Sequence, residues 1–218
     1  MTKLDEIALN IELVLISIVE GVALMALGEN AVHALSGSNP LPLIPYELAG
    51  LCIILVFWSQ AISHAVSFIR WPLRAEHMFL YFVAAFLQIL AYGSLENLPL
   101  WFLFWTLFSI LTIVIYIIDL RIIRHSSAHM AELPNGTAFV HTVEKRHRFE
   151  MKRLVPTAVI FNAVALYLTS VHPEMFSSGA SVAILGSIQL GVSLVALYDC
   201  MKNFNRRGAI LTGILAGG

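Results

Sequence analysis

Six apolar runs, each about as long as a bilayer crossing, constrain this sequence more than any other feature. A transmembrane helix needs roughly 20 predominantly apolar residues, and only 12% of this chain is charged, against about 25% in a soluble domain. The sequence therefore predicts an all-α integral membrane protein, with residues 1–218 forming a single domain of six transmembrane helices. The runs cover residues 7–28, 48–69, 77–95, 99–120, 154–171 and 180–201.

The lysines and arginines lie only in alternate connections between these runs. Of the 13, one precedes the first run, two lie in the second connection, seven in the fourth and three after the sixth. Because Lys and Arg are retained on the cytoplasmic side during insertion, both termini are predicted to be cytoplasmic. The formal net charge of −1 lacks the basic excess that indicates nucleic-acid binding. We expect a multi-pass protein of a lipid bilayer, in the inner (plasma) membrane of a bacterium, with no nucleic-acid partner.

The fourth connection, residues 121–153, is the long polar one, and we expect it to form a cytoplasmic loop. Its positive charge is suited to a cytoplasmic protein partner or to anionic lipid. His125 and His129 have the i, i+4 spacing of zinc ligands, but only Glu132 lies near them, which favours a solvated loop over a metal site. The C-terminal tail, 202–218, has an apolar stretch too short to span a bilayer. The basic residues of the loop are Arg121, Arg124, Lys145, Arg146, Arg148, Lys152 and Arg153.

Ionisable residues within the apolar runs are the main functional candidates, since placing one at membrane depth costs roughly 2.5–3.5 kcal/mol. Glu20 lies in the middle of the first run and His64 late in the second. At about 100° per residue, Glu20 points away from Glu29, so the first helix has two distinct faces. The face that carries Glu29 is a candidate pore lining, formed by Ile18, Val22, Met25, Glu29 and Val32.

The two glutamates have different candidate roles. A ring of Glu29 carboxylates from several subunits would concentrate cations at a pore entrance; alternatively, Glu29 is a solvated residue where the helix leaves the membrane. Glu20 is either a gating or proton-sensing group or a structural member of a buried polar network with Trp58, Gln60 and His64. Haem needs paired axial ligands, so His64 is interpreted as a core hydrogen-bonding group, and we predict no cofactor and no metal.

Aromatic residues are dense at the start of the fourth run, close to the predicted outer boundary of the membrane. Aromatic belts occur at membrane interfaces, so we expect most of these side chains to anchor the interface. They are Trp101, Phe102, Phe104 and Trp105.

Residues 19–27, VEGVALMAL, resemble the first-helix signature of the lysosomal potassium channel family and its bacterial six-helix homologues. That signature reads Phe-Ser-Asp-Gly-Val followed by small and aliphatic residues, and Glu20 stands in place of its Asp. Residues 57–60, FWSQ, look like the family's second helix, and residues 153–156, RLVP, are similar to the start of its fifth. The resemblance implies a cation channel assembled from six-helix subunits, as a tetramer in bacterial members, with the first helices around the pore.

By position, the resemblance places the pore constriction at Met25 and the next pore residue at Glu29, where the family has an aliphatic residue. We therefore expect an oligomeric channel for monovalent cations, potassium among them, with no enzyme activity. Two alternatives stay open. One is a membrane-anchoring or assembly subunit that binds a partner through residues 121–153. The other is a proton-coupled transporter that uses Glu20 and His64, although the two halves of the chain show no convincing repeat.

Overall fold

The computed structural model describes residues 3–37, 41–66, 75–131 and 136–216. These residues form seven α-helices and contain no strand, which confirms the all-α prediction. The helices are α1 (Lys3–Ser36), α2 (Ile44–Val66), α3 (Ala75–Tyr92), α4 (Leu98–Ala131), α5 (Gly136–Phe149), α6 (Val155–Val171) and α7 (Gly179–Ala216).

Most of these helices have the length and apolar character of membrane spans. Among the described residues, five stretches are long and apolar enough to cross a bilayer, and the apolar stretch Phe79–Tyr92 of α3 is shorter. This supports an integral membrane protein, while the crossing of all six predicted helices stays a prediction. Arg70 and Arg74, which belong to the orientation argument, lie outside the described residues. The five longer stretches are Asn10–Ser36, Ile44–His64, Leu98–His125, Gly136–Val171 and Gly179–Asn205.

The basic segment 121–153 is helical wherever the structure describes it, and the expectation of a loop there is wrong. The helix α4 continues past the apolar run to Ala131, and α5 covers the second part. A π-helical turn, Glu150–Leu154, then leads directly into α6. A drop in hydropathy shows where a helix leaves the membrane and not where the helix ends. A helix can continue into polar sequence because its backbone hydrogen bonds do not require apolar side chains. The tail is also helical, because α7 extends to Ala216.

The helices alternate in direction, which defines two ends of the bundle. Tyr46 at the start of α2 lies edge-on to Trp101 at the start of α4, with ring centroids 5.7 Å apart. Its hydroxyl donates a hydrogen bond to the carbonyl of Val182, near the start of α7 (3.0 Å). We call this the aromatic end. The opposite end contains Asp119 of α4 and Arg146 of α5, and we call it the basic end.

Both ends of the described chain lie toward the basic end. His33, in the last turn of α1, is 3.2 Å from Glu96 in the turn between α3 and α4, so α1 runs from the basic end to the aromatic end. In contrast, α7 starts beside Tyr46 and brings Asp199 to Arg146. An even number of crossings has this geometry, while the cytoplasmic location of the termini stays a prediction.

The aromatic residues at the start of α4 form core, and the expectation that most of them anchor the interface is wrong. Trp101, Phe102 and Trp105 are fully buried. The cause is the central position of α4, which packs against α3 and α6. Trp101 also reaches across to α7, where its indole N–H donates to Oε1 of Gln189 (2.9 Å). The position of these residues along the sequence indicates their depth in the membrane. Whether their side chains point to the core or to lipid depends on how α4 packs.

A glycine permits the close approach of α7 to α2, and its substitution tests this contact. A Cβ added at Gly186 would lie 2.5 Å from the ring of Tyr46, which is too close for a side chain to fit without movement. Gly186→Ala should therefore lower the free energy of unfolding by about 1–3 kcal/mol, measured by thermal or denaturant unfolding in detergent.

The matched control is Gly191→Ala on the same helix. An added Cβ at Gly191 meets nothing within 4 Å, so this variant should keep the wild-type stability. Equal stability of Gly186→Ala and Gly191→Ala would contradict the packing of α7 on Tyr46.

Candidate functional site

The predicted pore residues share the face of α1 that points away from the rest of the bundle. Met25 has an exposed fraction of 58%, while Ala23 and Leu27 on the other side of the helix are buried. Other helices also present apolar side chains outward, so exposure alone does not separate a pore lining from a lipid-facing surface. The outward residues include all five predicted ones, Ile18, Val22, Met25, Glu29 and Val32.

Glu20 is buried on the inward face of α1, with 4% of its surface exposed. Its Oε1 accepts a hydrogen bond of 2.8 Å from the hydroxyl of Tyr81 in α3. Trp58 is 40% exposed, and Gln60 and His64 contact members of a second polar cluster, so the network of Glu20 with these three residues stays a prediction. Glu20 therefore has a structural hydrogen bond that the sequence analysis did not identify.

The second polar cluster is centred on Asp119, which has no exposed surface. His64 approaches it from the end of α2, with its Nδ1 3.5 Å from Oδ2 of Asp119. His147 approaches from the end of α5, with its Nε2 3.7 Å from the same oxygen. Both imidazoles are buried, and their ring centroids are 5.0 Å apart. Two histidines and one carboxylate from three helices thus converge inside the protein.

The tautomer of His147 follows from its backbone contact. Its Nδ1 lies 3.2 Å from the carbonyl oxygen of Val143, and a carbonyl only accepts, so Nδ1 carries a proton. In the neutral imidazole, Nε2 then presents a lone pair toward Asp119. This nitrogen is buried and has no hydrogen-bond partner among the described residues. The ring packs edge-on against Tyr116, at a centroid distance of 5.2 Å.

A charged network adjoins the histidines where α5 meets α6. Arg146 Nε donates to Oε1 of Glu150 at 2.6 Å, and a terminal nitrogen of the same guanidinium donates to the carboxylate of Asp199 in α7. Gln60, one helical turn before His64, donates to Oε1 of Glu150 as well (3.2 Å). Glu150 is fully buried and begins the π-helical turn. Such turns occur frequently at functional sites, since they change the direction of side chains within a helix.

A cavity of about 170 Å³ lies between α2, α4, α6 and α7 and opens onto this cluster. His64 and Asp119 line its basic end, and Gln189 lines it toward the aromatic end. Asn162 of α6 and Ser109 of α4 line the middle and are hydrogen-bonded at 3.4 Å. Although most of the wall is apolar, its polar groups are spread along the length of the cavity. Besides His64 and Asp119, they are Gln60, Tyr81, Trp105, Ser109, Thr112, Tyr116, Asn162, Gln189 and Ser193.

The basic residues of segment 121–153 divide into two groups. Arg124 and Arg148 lie within 4 Å of Glu144, and Arg146 pairs with Glu150 and Asp199. Three of the seven positive charges therefore have carboxylate partners. The other four side chains are exposed at the basic end. They are Arg121, Lys145, Lys152 and Arg153.

Sequence reasoning identified His64 and Gln60 but not the other members of this cluster. Asp119 lies at the end of the fourth apolar run, and His147 lies in the segment predicted to be a loop. One signal was present: Phe139, Val143 and His147 recur every fourth residue and are all buried, which is the pattern of an inward helix face.

No protein-family model, curated protein sequence or solved structure matches this chain. The resemblance to the lysosomal potassium channel family therefore stays a prediction based on short stretches of three helices.

The network around Arg146 predicts a large effect of one arginine. Arg146→Ala would leave Glu150 buried without its ion pair, and breaking a buried pair costs about 3–5 kcal/mol. We expect a loss of stability of this size, measured by unfolding in detergent.

Arg148→Ala is the matched control, two residues further along α5. Arg148 pairs with the partly exposed Glu144 at 2.6 Å, and exposed pairs contribute only about 0–1 kcal/mol. If the two variants lost the same stability, the Arg146–Glu150 pair would not be the buried interaction described here.

Proposed function

We propose that the protein transports a cation across a membrane through the interior of its own helix bundle. The observation that carries this proposal is the buried Asp119 with His64 and His147, placed where a partly polar cavity ends. Ionisable groups inside a membrane protein are costly and usually belong to ion or proton pathways. The cavity gives a bound ion a route toward the aromatic end.

The charge of the cluster favours a cation. Asp119, Glu150 and Asp199 are three carboxylates, and Arg146 supplies one positive charge against them. Three carboxylates thus stand against one guanidinium group in this region. A cation entering this region would reduce the electrostatic cost of the buried charges.

We place the basic end in the cytoplasm, with both termini on that side. Four exposed basic side chains lie at this end, and Lys and Arg are concentrated on the cytoplasmic side of membrane proteins. The inner membrane of a bacterium is the location that fits the sequence resemblance. Transport would then connect the cytoplasm at the basic end with the opposite side at the aromatic end.

Ion uptake into liposomes tests the proposal. The purified protein should admit potassium or zinc under an imposed gradient, and Asp119→Asn should reduce that uptake more than tenfold. The reason is that a charge pair at 4 Å is worth about 4 kcal/mol at an effective dielectric constant of 20, while each 1.4 kcal/mol is roughly a factor of ten. No uptake of either ion by wild-type protein would contradict transport.

A second candidate is the oligomeric cation channel with α1 at its axis. A specific feature favours it: Gly21 and Gly28 lie seven residues apart on α1, and a Cβ added to either meets nothing within 4 Å. Small residues on an open helix face let another helix approach closely. Glu29 is exposed near the aromatic end of the same helix, where a ring of carboxylates would attract cations.

Variants of α1 distinguish the two candidates. In the channel, Met25→Ala should raise conductance by widening a constriction, and Glu29→Gln should lower it, most clearly at low salt. In the interior path, both variants should retain wild-type uptake while Asp119→Asn loses it. Uptake that responds to Met25 but not to Asp119 would establish the α1 pore instead.

A further inference from the structure

We infer that His64, Asp119 and His147 bind a divalent transition-metal ion inside the bundle. One ligand atom from each residue lies within 4.8 Å of the other two. The two distances to Asp119 Oδ2 are 3.5 Å and 3.7 Å. Around a tetrahedral zinc ion with bonds of about 2.0–2.1 Å, neighbouring ligand atoms are about 3.3 Å apart. The two distances to Asp119 are thus within a few tenths of an ångström of this value, and the two imidazole nitrogens lie within 4.8 Å of each other.

The orientation of His147 supplies an independent indication of a ligand. A metal-binding histidine usually donates its other ring N–H to a carbonyl or carboxylate, which fixes the ring. His147 has this arrangement, because Nδ1 donates to Val143 and the buried Nε2 points toward Asp119 without a hydrogen-bond partner among the described residues. A lone pair facing a carboxylate is unfavourable unless a cation or a proton lies between them.

The ligand set selects the class of ion. Imidazole nitrogens suit zinc, iron, copper and nickel, and a site of two histidines and one carboxylate is common for such metals. Calcium takes six to eight oxygen ligands and magnesium a nearly octahedral oxygen shell, which two imidazoles do not provide. A dication would also be attracted to this region, where three carboxylates stand against the one guanidinium group of Arg146.

The metal would keep access to the cavity. Both His64 and Asp119 line the cavity wall, so a water molecule there can serve as a fourth ligand. The ion would occupy the end of the proposed path. The inference therefore rests on the proposed function, and it specifies the transported cation as a divalent transition-metal ion. Binding is nevertheless measured at equilibrium, without a membrane gradient.

The experiment is metal titration of the full-length protein in detergent, after chelation and removal of any polyhistidine tag. Wild-type protein should bind one Co²⁺ per chain, with the visible absorption of a low-symmetry, nearly tetrahedral site, and Zn²⁺ should displace it. His147→Gln and Asp119→Asn should weaken binding by more than roughly 100-fold, since loss of an outer hydrogen-bonding partner alone costs about 10–100-fold.

His141→Gln is the matched control, because His141 lies on the same helix but is exposed. It should bind Co²⁺ as the wild type does. Absence of stoichiometric binding in the wild type, or equal binding by His147→Gln and His141→Gln, would overturn the site.

A cysteine variant tests the site through an absorption band that the variant should gain. In His64→Cys the sulfur would lie near the present position of the imidazole Cγ, one bond from Nδ1, the atom that faces Asp119. The longer metal–sulfur bond, about 2.3 Å against about 2.0–2.1 Å for nitrogen, offsets part of this difference. Its Co²⁺ complex should gain a near-ultraviolet thiolate-to-cobalt band, which Ser63→Cys, one residue away on another face of α2, should lack. A cobalt complex of His64→Cys without this band would place the metal elsewhere.

Binding and transport fail in different ways. Stoichiometric metal binding without ion uptake into liposomes would retain the site and overturn the transport function. Uptake of potassium by a protein that binds no Co²⁺ or Zn²⁺ would retain the transport function and overturn the metal site.

Discussion

Three helices of this protein, α2, α4 and α5, meet around one buried carboxylate, Asp119, whose charge needs compensation. An isolated carboxylate costs several kcal/mol when it leaves water, so polar groups from other elements must lie against it. His64 lies against it from α2, and His147 lies against it from α5, where the cation of the proposed site would lie between Nε2 and the carboxylate. For His147 to reach Asp119, α5 must lie along the second half of α4, and the apolar residues Phe139 and Val143 hold it there by packing in the same buried cluster. Apolar packing and charge compensation thus require the same placement of α5.

The long helices could be predicted because hydropathy responds to residues that avoid water. Each of the six apolar runs overlaps one helix of the structure. The ends of the helices were harder to predict, since α4 continues for more than two turns beyond its apolar run. The direction of side chains was not predictable from position along the chain either. Trp101 lies near a membrane boundary and still points into the core, because α4 is surrounded by other helices.

The site could be predicted only in part. Because His64 and Gln60 lie within one apolar run, hydropathy and polarity mark them as unusual. Their partners Asp119, His147 and Glu150 come from sequence positions more than 50 residues away, and the contact between them depends on tertiary packing. A single sequence carries no direct record of that packing. The four-residue spacing of buried residues in α5 was the nearest local signal, and it indicates an inward face without naming what that face contacts.

In the proposed site, the fixed cation of Arg146 would lie beside a metal ion that exchanges. Arg146 is covalently attached and compensates Glu150 and Asp199 on the side of α7. Asp119 and His64 line the cavity, and His147 lies against Asp119. Transport requires an ion to bind well enough to enter and weakly enough to leave. Three protein ligands suit this compromise better than four, because water from the cavity can take the open position and replace the protein ligands one at a time. The fixed charge of Arg146 meanwhile limits the attraction that a departing ion must overcome.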